Sequence, residues 1–190
     1  MTRIIAGAAR GLPLTVPGTG TRPTSDRVRE SLFGSLEAQD LVAGARVLDL
    51  YAGSGALGLE CASRGAASVD LVEKSRPAAG IAAKNAAKVA TAAGVAARVH
   101  ATGVEPFLRT SSATWDLVLM DPPYDVSDAE VTAVLTGLSP RLSPDAVVIV
   151  ERAKRSAAPA WGEAGLEPLR DRTFGDTRLW WGQPRVSSQS

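Results

Sequence analysis

The stretch VLDLYAGSGALGLE at residues 47–60 limits what this chain can fold into more than any other. An apolar run of strand length meets a glycine-rich turn, and the turn leads straight into a helix-forming segment. Gly53 and Gly55 let the backbone turn tightly and come close to a ligand. A strand–glycine loop–helix unit of this kind lies at the carboxyl edge of a parallel sheet, where α/β folds bind their ligands. Read literally, GSGALG is also G-x-G-x-x-G, the dinucleotide fingerprint. Residues outside the loop must decide between a nicotinamide cofactor and another group.

The rest of the chain agrees with an α/β fold. RVLDLYA (46–52), SVDLVEK (68–74), ARVHAT (97–102), WDLVLMD (115–121) and AVVIVER (146–152) have the length and composition of buried strands. Helix-like stretches at 55–64, 78–93, 104–110 and 128–138 separate them. Ser127 and Glu130 have capping-box spacing, and Gly94 follows the Ala-rich stretch as a C-cap would. This alternation predicts a parallel sheet with right-handed crossovers. Residues 166–174 and 177–183, flanking Gly175-Asp176, predict an antiparallel hairpin that closes it. Upstream, RIIAGAARGLPLTV (3–16) reads as two short strands around residues 6–11. DRVRESLFGSL (26–36) reads as a helix with Val28, Leu32 and Leu36 on one face. Residues 1–40 are therefore expected to form a small basic β-hairpin and a lead helix, and 41–190 the catalytic core.

Charge and composition narrow the function. Residues 1–36 carry five Arg against two acids, a net of +3; residues 37–150 carry nine basic against thirteen acidic groups, a net of −4; residues 151–190 return to +2, seven against five. Basic ends around an acidic middle suggest an anionic partner touched by the termini. The single Cys61 excludes an internal disulfide, and with the single His100 it leaves no Cys/His cluster for zinc. No apolar run reaches membrane-spanning length, and residues 1–11 do not read as a signal peptide. The expectation is a cytoplasmic, metal-free protein with no membrane contact, and nothing demands more than a monomer. His100, Cys61 and Trp115 are expected to be structural, and one of Trp180 and Trp181 is expected to be buried.

Two features choose the cofactor. Asp49 lies inside the strand, four residues before Gly53, where a carboxylate repels a pyrophosphate and attracts the ammonium or sulfonium of S-adenosylmethionine. The sequence DPPY at 121–124 follows a strand directly. Its prolines cannot continue a ladder. They stiffen the backbone so that the Asp121 side chain and the Pro122 carbonyl form two acceptors for one NH2 group. Pro123 completes the rigid pair, and Tyr124 offers a flat face on which a base can stack. Glu73, about 20 residues beyond the loop, stands where an acid holds ribose hydroxyls.

These motifs resemble the class I S-adenosylmethionine-dependent methyltransferases that modify exocyclic amines of bases. RIIAGAARG, RPTSDRVRESLF, SRGA (63–66) and the closing R-x-FGDTRLWW resemble the bacterial 16S ribosomal RNA guanine-N2 methyltransferase family, RsmD-type, in order across nearly the whole chain. The resemblance implies a Rossmann-like, seven-stranded, mostly parallel sheet with helices on both faces. It implies methylation of one guanine, nucleotide 966, in 16S rRNA or a partly assembled small subunit, with S-adenosylhomocysteine as product. Asp49, Tyr51, Gly53, Ser54 and Gly55 would then line the methionine end of the cofactor, and Asp121, beside the reacting amine, would border the cofactor as well. Glu73 and Lys74 would border the ribose, and Thr102, Gly103 and Val104 the adenine; Gly103 stands where many relatives carry an acid, which leaves backbone or Glu105 for that contact. Arg3, Arg10, Arg22, Arg27 and Arg29 are the candidate RNA phosphate contacts. The rivals are a DNA adenine or cytosine amino-methyltransferase, a nicotinamide dehydrogenase and a non-catalytic RNA-binding module.

Overall fold

In the computed structural model, which describes residues 2–18 and 25–185, each of the five apolar runs is a strand: β1 (Arg46–Leu50), β2 (Ser68–Val72), β3 (Ala96–His100), β4 (Trp115–Met120) and β5 (Leu142–Ala153). All pair in parallel. The hairpin β6 (Leu166–Phe174) and β7 (Thr177–Pro184) adds two antiparallel strands, giving a seven-stranded sheet of order β3-β2-β1-β4-β5-β7-β6. The chain winds outward from β1 in one direction and from β4 in the other, so the crevice between them is the topological switch point.

Both faces of the sheet are covered, which is why its strands read as unbroken apolar runs rather than alternating ones. Val47, Leu117, Leu119, Val147 and Ile149 pack with α1 (Asp26–Ala38), α2 (Ala56–Ser63) and α3 (Arg76–Ala93). Leu48, Leu50, Val118, Met120, Val148 and Val150 pack with α4 (Val104–Thr110) and α5 (Asp128–Leu138). Ser127 and Glu130 close the expected capping box on α5, and Gly94 ends α3 in the left-handed region at φ 67°. Val28, Leu32 and Leu36 of α1 are buried, and Ile4 and Leu14 enter the same apolar cluster.

Two elements differ from the sequence expectation. β5 begins at Leu142, not at 146: its register against β4 jumps from Trp115↔Leu142 to Leu117↔Val147. The irregularity takes up Pro144, which a regular ladder would reject. The N-terminal strand pair is reduced to one antiparallel bridge, Arg3↔Pro13. The reason lies in where the backbone hydrogen bonds go. Ile4 and Leu14 donate across the arm, to Leu12 and Thr2. Ile5 and Ala6 donate instead to the Glu60 carboxylate, Ala8 to the Ser63 carbonyl and Ala9 to the Ser63 hydroxyl. The arm divides its backbone donors between its own carbonyls and α2.

The residues expected to be structural behave so. Cys61 and Trp115 are buried. The Trp115 indole donates to Asp70 at 3.1 Å, and the His100 ring meets the other Asp70 oxygen at 2.8 Å. Trp181 is buried while Trp180 is partly exposed. Among the described residues no helix is long and apolar enough to cross a membrane.

Candidate active site

The turn after β1 uses three left-handed residues in five: Tyr51 at φ 61°, Gly53 at 57° and Gly55 at 83°. Tyr51 is the only one with a side chain, and its ring packs on the α4–α5 side of the core. Burial raises its phenol pKa, and the nearby Glu130 and Glu105 charges add to the rise. A Cβ at Gly53 would meet nothing within 4 Å, so this glycine borders open space. A Cβ at Gly58 would fall 2.4 Å from a Leu71 methyl and 3.0 Å from Asp49 Cβ. Gly58 is thus the contact that lets α2 lie close on the sheet, the third role in the fingerprint.

Two carboxylates hold this turn. Asp49 is buried and its Oδ2 accepts the Gly58 N–H at 2.8 Å, capping the first turn of α2. Burial pushes its pKa up to about 7; the Gly58 bond opposes the rise and the Glu73 charge adds to it. Glu73, just past β2, accepts Gly53 N–H at 2.9 Å and Ser75 N–H at 2.8 Å. The Ser54 carbonyl accepts from the Asn85 amide at 2.9 Å. A turn with open space at Gly53, braced by two acids, suits a group that arrives with positive charge and ribose hydroxyls. A pyrophosphate would meet two like charges there. The residues fit S-adenosylmethionine. Lys74 is exposed beside Glu73. Gly103 caps α4 with ordinary extended dihedrals (φ −68°), and Val104 is buried behind it.

The register of β1 and β4 brings DPPY to the same edge. Leu50 lies opposite Met120, and Asp121 N–H points to the Leu50 carbonyl at 3.5 Å. Asp121 is partly exposed, Pro122 buried and Pro123 exposed. The Pro123 carbonyl accepts Val126 N–H at 3.1 Å, closing a turn that fixes the tetrapeptide. Tyr124 is 75% exposed, more than any other large apolar side chain among the described residues.

The arginines divide. Arg3, Arg10 and Arg27 are exposed on the arm and on α1. Arg22 lies outside the described residues. Arg29 does not fit the phosphate-contact expectation: it is 1% exposed, and its guanidinium bonds Glu60 at 3.2 Å, Asp26 at 3.2 Å and the Arg3 carbonyl at 3.1 Å. Its charge is spent inside the protein, opposite a fully buried Glu60 that also takes Arg64 at 2.8 Å. Arg29 follows the apolar Val28, and Arg29, Phe33 and Leu36 share one stripe of α1; that spacing was the available signal.

Sequence reasoning also missed Glu60, Ser63 and Asn85. Asn85, fully buried on α3, accepts Thr15 N–H at 3.0 Å and donates to the Thr15 carbonyl at 2.8 Å as well as to Ser54. It ties the end of the arm to the glycine loop. A buried Asn in an Ala-rich helix was the visible sign. Among the described residues no group of His, Cys, Asp or Glu is arranged to hold a metal ion.

The family described as conserved hypothetical protein 95 matches residues 2–183. A relative in Escherichia coli (strain K12), named ribosomal RNA small subunit methyltransferase D, is 39% identical over 158 residues, covering 83% of this chain and 77% of its own. The solved structure of a putative methyltransferase, yhhF, from Escherichia coli superposes with TM-score 0.80 at 34% identity over 98% of this chain and 99% of that one. The magnesium protoporphyrin IX methyltransferase of Synechocystis PCC 6803, solved with bound S-adenosylmethionine, shares the fold at TM-score 0.67 and 19% identity, covering 87% of each chain.

Proposed function

The chain belongs to the conserved hypothetical protein 95 family, the RsmD-type S-adenosylmethionine-dependent methyltransferases, and from that membership we propose that it methylates the N2 amine of one guanine, nucleotide 966, in small-subunit ribosomal RNA. The relatives' names supply the substrate class. The observation that carries the reading is Tyr124, left 75% exposed on a proline-stiffened turn beside Asp121. A bulky aromatic held out in solvent on a rigid turn is a stacking platform for a base.

S-adenosylmethionine, when bound, supplies an electrophilic methyl group and leaves as S-adenosylhomocysteine. Asp49 and the 53–55 backbone hold its methionine end, with Tyr51 and Ser54 as walls. Glu73, with Lys74 beside it, takes the ribose, and the 102–104 backbone with Glu105 borders the adenine. The Asp121 carboxylate and the Pro122 carbonyl accept the two N–H groups of the guanine amine. That grip would turn the nitrogen lone pair out of the ring plane, ready to accept a methyl group. Tyr124 stacks on the base, which must arrive unpaired or flipped out. The Asp121 oxygen that accepts one N–H would take the proton that becomes acidic once the nitrogen is alkylated. The acceleration comes from orientation and from fixed dipoles rather than from a strong base. Arg3, Arg10 and Arg27 supply phosphate contacts.

The test is transfer of a tritiated methyl group into protein-free 16S RNA, partly assembled small subunits and duplex DNA, followed by mass mapping of the labelled nucleotide. The reading expects label at one guanine N2 in RNA. Label confined to adenine or cytosine in DNA, or no label in any of the three, contradicts it.

A further inference from the structure

Arg170 and Arg172 stand on β6, the edge strand of the sheet. The β6–β7 register slips between Pro168 and Arg170, leaving Leu169 as the extra residue. Before the slip, Leu166 faces the α4–α5 side. After it, Arg170 lies opposite Trp181 and Arg172 opposite Leu179, both of which belong to the α1 side. The bulge re-aims two guanidinium groups onto the face that carries α1, a recurrent use of bulges. Arg170 stacks 4.6 Å from the Trp181 ring centroid and donates to Ser35 of α1 at 2.6 Å. Arg172 stacks 4.9 Å from the Phe174 ring. Among the described residues neither is paired with a carboxylate. Asp171, between them, points to the other face and is taken by Arg178 at 2.7 Å.

Between β6 and α1 runs a groove bordered by Ser31, Ser35, Arg170, Asp171, Arg172 and Phe174 over an apolar floor of Leu32 and Trp181; the one acid among them, Asp171, is the carboxylate that Arg178 takes. Arg27, Ser31 and Ser35 recur every four residues on α1, so exposed Arg27 continues the same stripe toward the helix start. The strand registers also set the height of Arg172. Met120 lies level with Val150, and Glu151, one residue on, lies level with Leu179 and Arg172. Arg172 therefore stands at the level of Asp121, three strand spacings away, about 14 Å. Glu151 shares its row, one strand beyond Leu179.

We propose that the groove between α1 and β6 is a second phosphate track, on which Arg172, with Arg170 and Arg27, holds the backbone of the RNA whose base enters the DPPY edge. This rests on the RNA reading above. Guanidiniums that no carboxylate among the described residues takes, set in a row beside serine hydroxyls, match the donors that bind phosphate backbones. An arginine on an edge strand also discourages strand-to-strand aggregation; that role alone leaves RNA affinity untouched when the charge is removed.

The experiment uses the full chain and a fluorescein-labelled RNA hairpin with an unpaired guanine. Binding is measured by anisotropy across a salt series for the wild type, Arg172→Gln and Arg172→Lys, with S-adenosylhomocysteine affinity and the unfolding midpoint as controls. The proposal expects Arg172→Gln to weaken RNA binding about fivefold and to flatten the plot of log K against log salt by about one phosphate contact. Arg172→Lys should keep the wild-type slope, and both controls should hold. A wild-type slope in Arg172→Gln overturns the track and leaves the RNA reading standing. Failure of the wild type itself to bind the hairpin overturns both.

Discussion

The Asp49 carboxylate accepts the Gly58 N–H from inside the core, and burial brings its pKa to about 7. Because the folded value lies above the ordinary aspartate value of about 4, this group favours the fold at low pH, and that contribution is lost as pH rises from about 4 to about 7. Asp49→Asn keeps an oxygen for Gly58 and removes the charge. Its unfolding midpoint should therefore rise relative to wild type as pH increases across that window, while its affinity for S-adenosylmethionine falls; parallel midpoint curves would refute the assignment. A bound cationic cofactor favours the ionised form, so cofactor binding near neutral pH should release protons, readable by calorimetry in two buffers of different ionisation enthalpy. Gly58→Ala places a methyl 2.4 Å from Leu71 and should destabilise by about 1–3 kcal/mol in chemical denaturation. The fingerprint spacing puts a glycine where helix and sheet pack closely, and Gly58 takes that place. The burial of Arg29 showed only in its place on the stripe with Phe33 and Leu36, and the pairing of its charge did not show at all. Charged residues are so rarely enclosed that only its partner, Glu60, reveals the reason, and Glu60 lies 31 positions away.

At the scale of elements, the strands and helices of residues 46–138 followed from their apolar runs and caps because each forms through local bonds and a local pattern. The N-terminal arm did not, since its donors end on Glu60, Ser63 and Asn85, which are 54 to 70 residues distant. No local rule weighs such partners. Asn85 is the link between the arm and the glycine loop. Asn85→Ala removes an acceptor from Thr15 N–H and a donor from two carbonyls. Hydrogen exchange at the Thr15 amide should speed up, and the variant should lose about 1–3 kcal/mol, the cost of leaving buried backbone groups unsatisfied. Thr15 exchange at the wild-type rate would show that the arm is held elsewhere.

For the whole molecule, the sheet order places β1 and β4 side by side at the switch point, and two sequence motifs 68 residues apart become one crevice. Either motif alone is ambiguous: GSGALG matches a dinucleotide loop, and DPPY matches any rigid turn. Their adjacency, with acids at 49, 73 and 121 and an exposed aromatic at 124, is what supports the proposed amine methylation. The central claim is that Asp121 grips the reacting base and not the cofactor. It is tested most directly by pairing calorimetry of S-adenosylmethionine binding with methyl-transfer rates for Asp121→Ala. The account expects transfer to fall by at least about a hundredfold while cofactor affinity stays within about threefold of wild type. Equal loss of binding and transfer would contradict it.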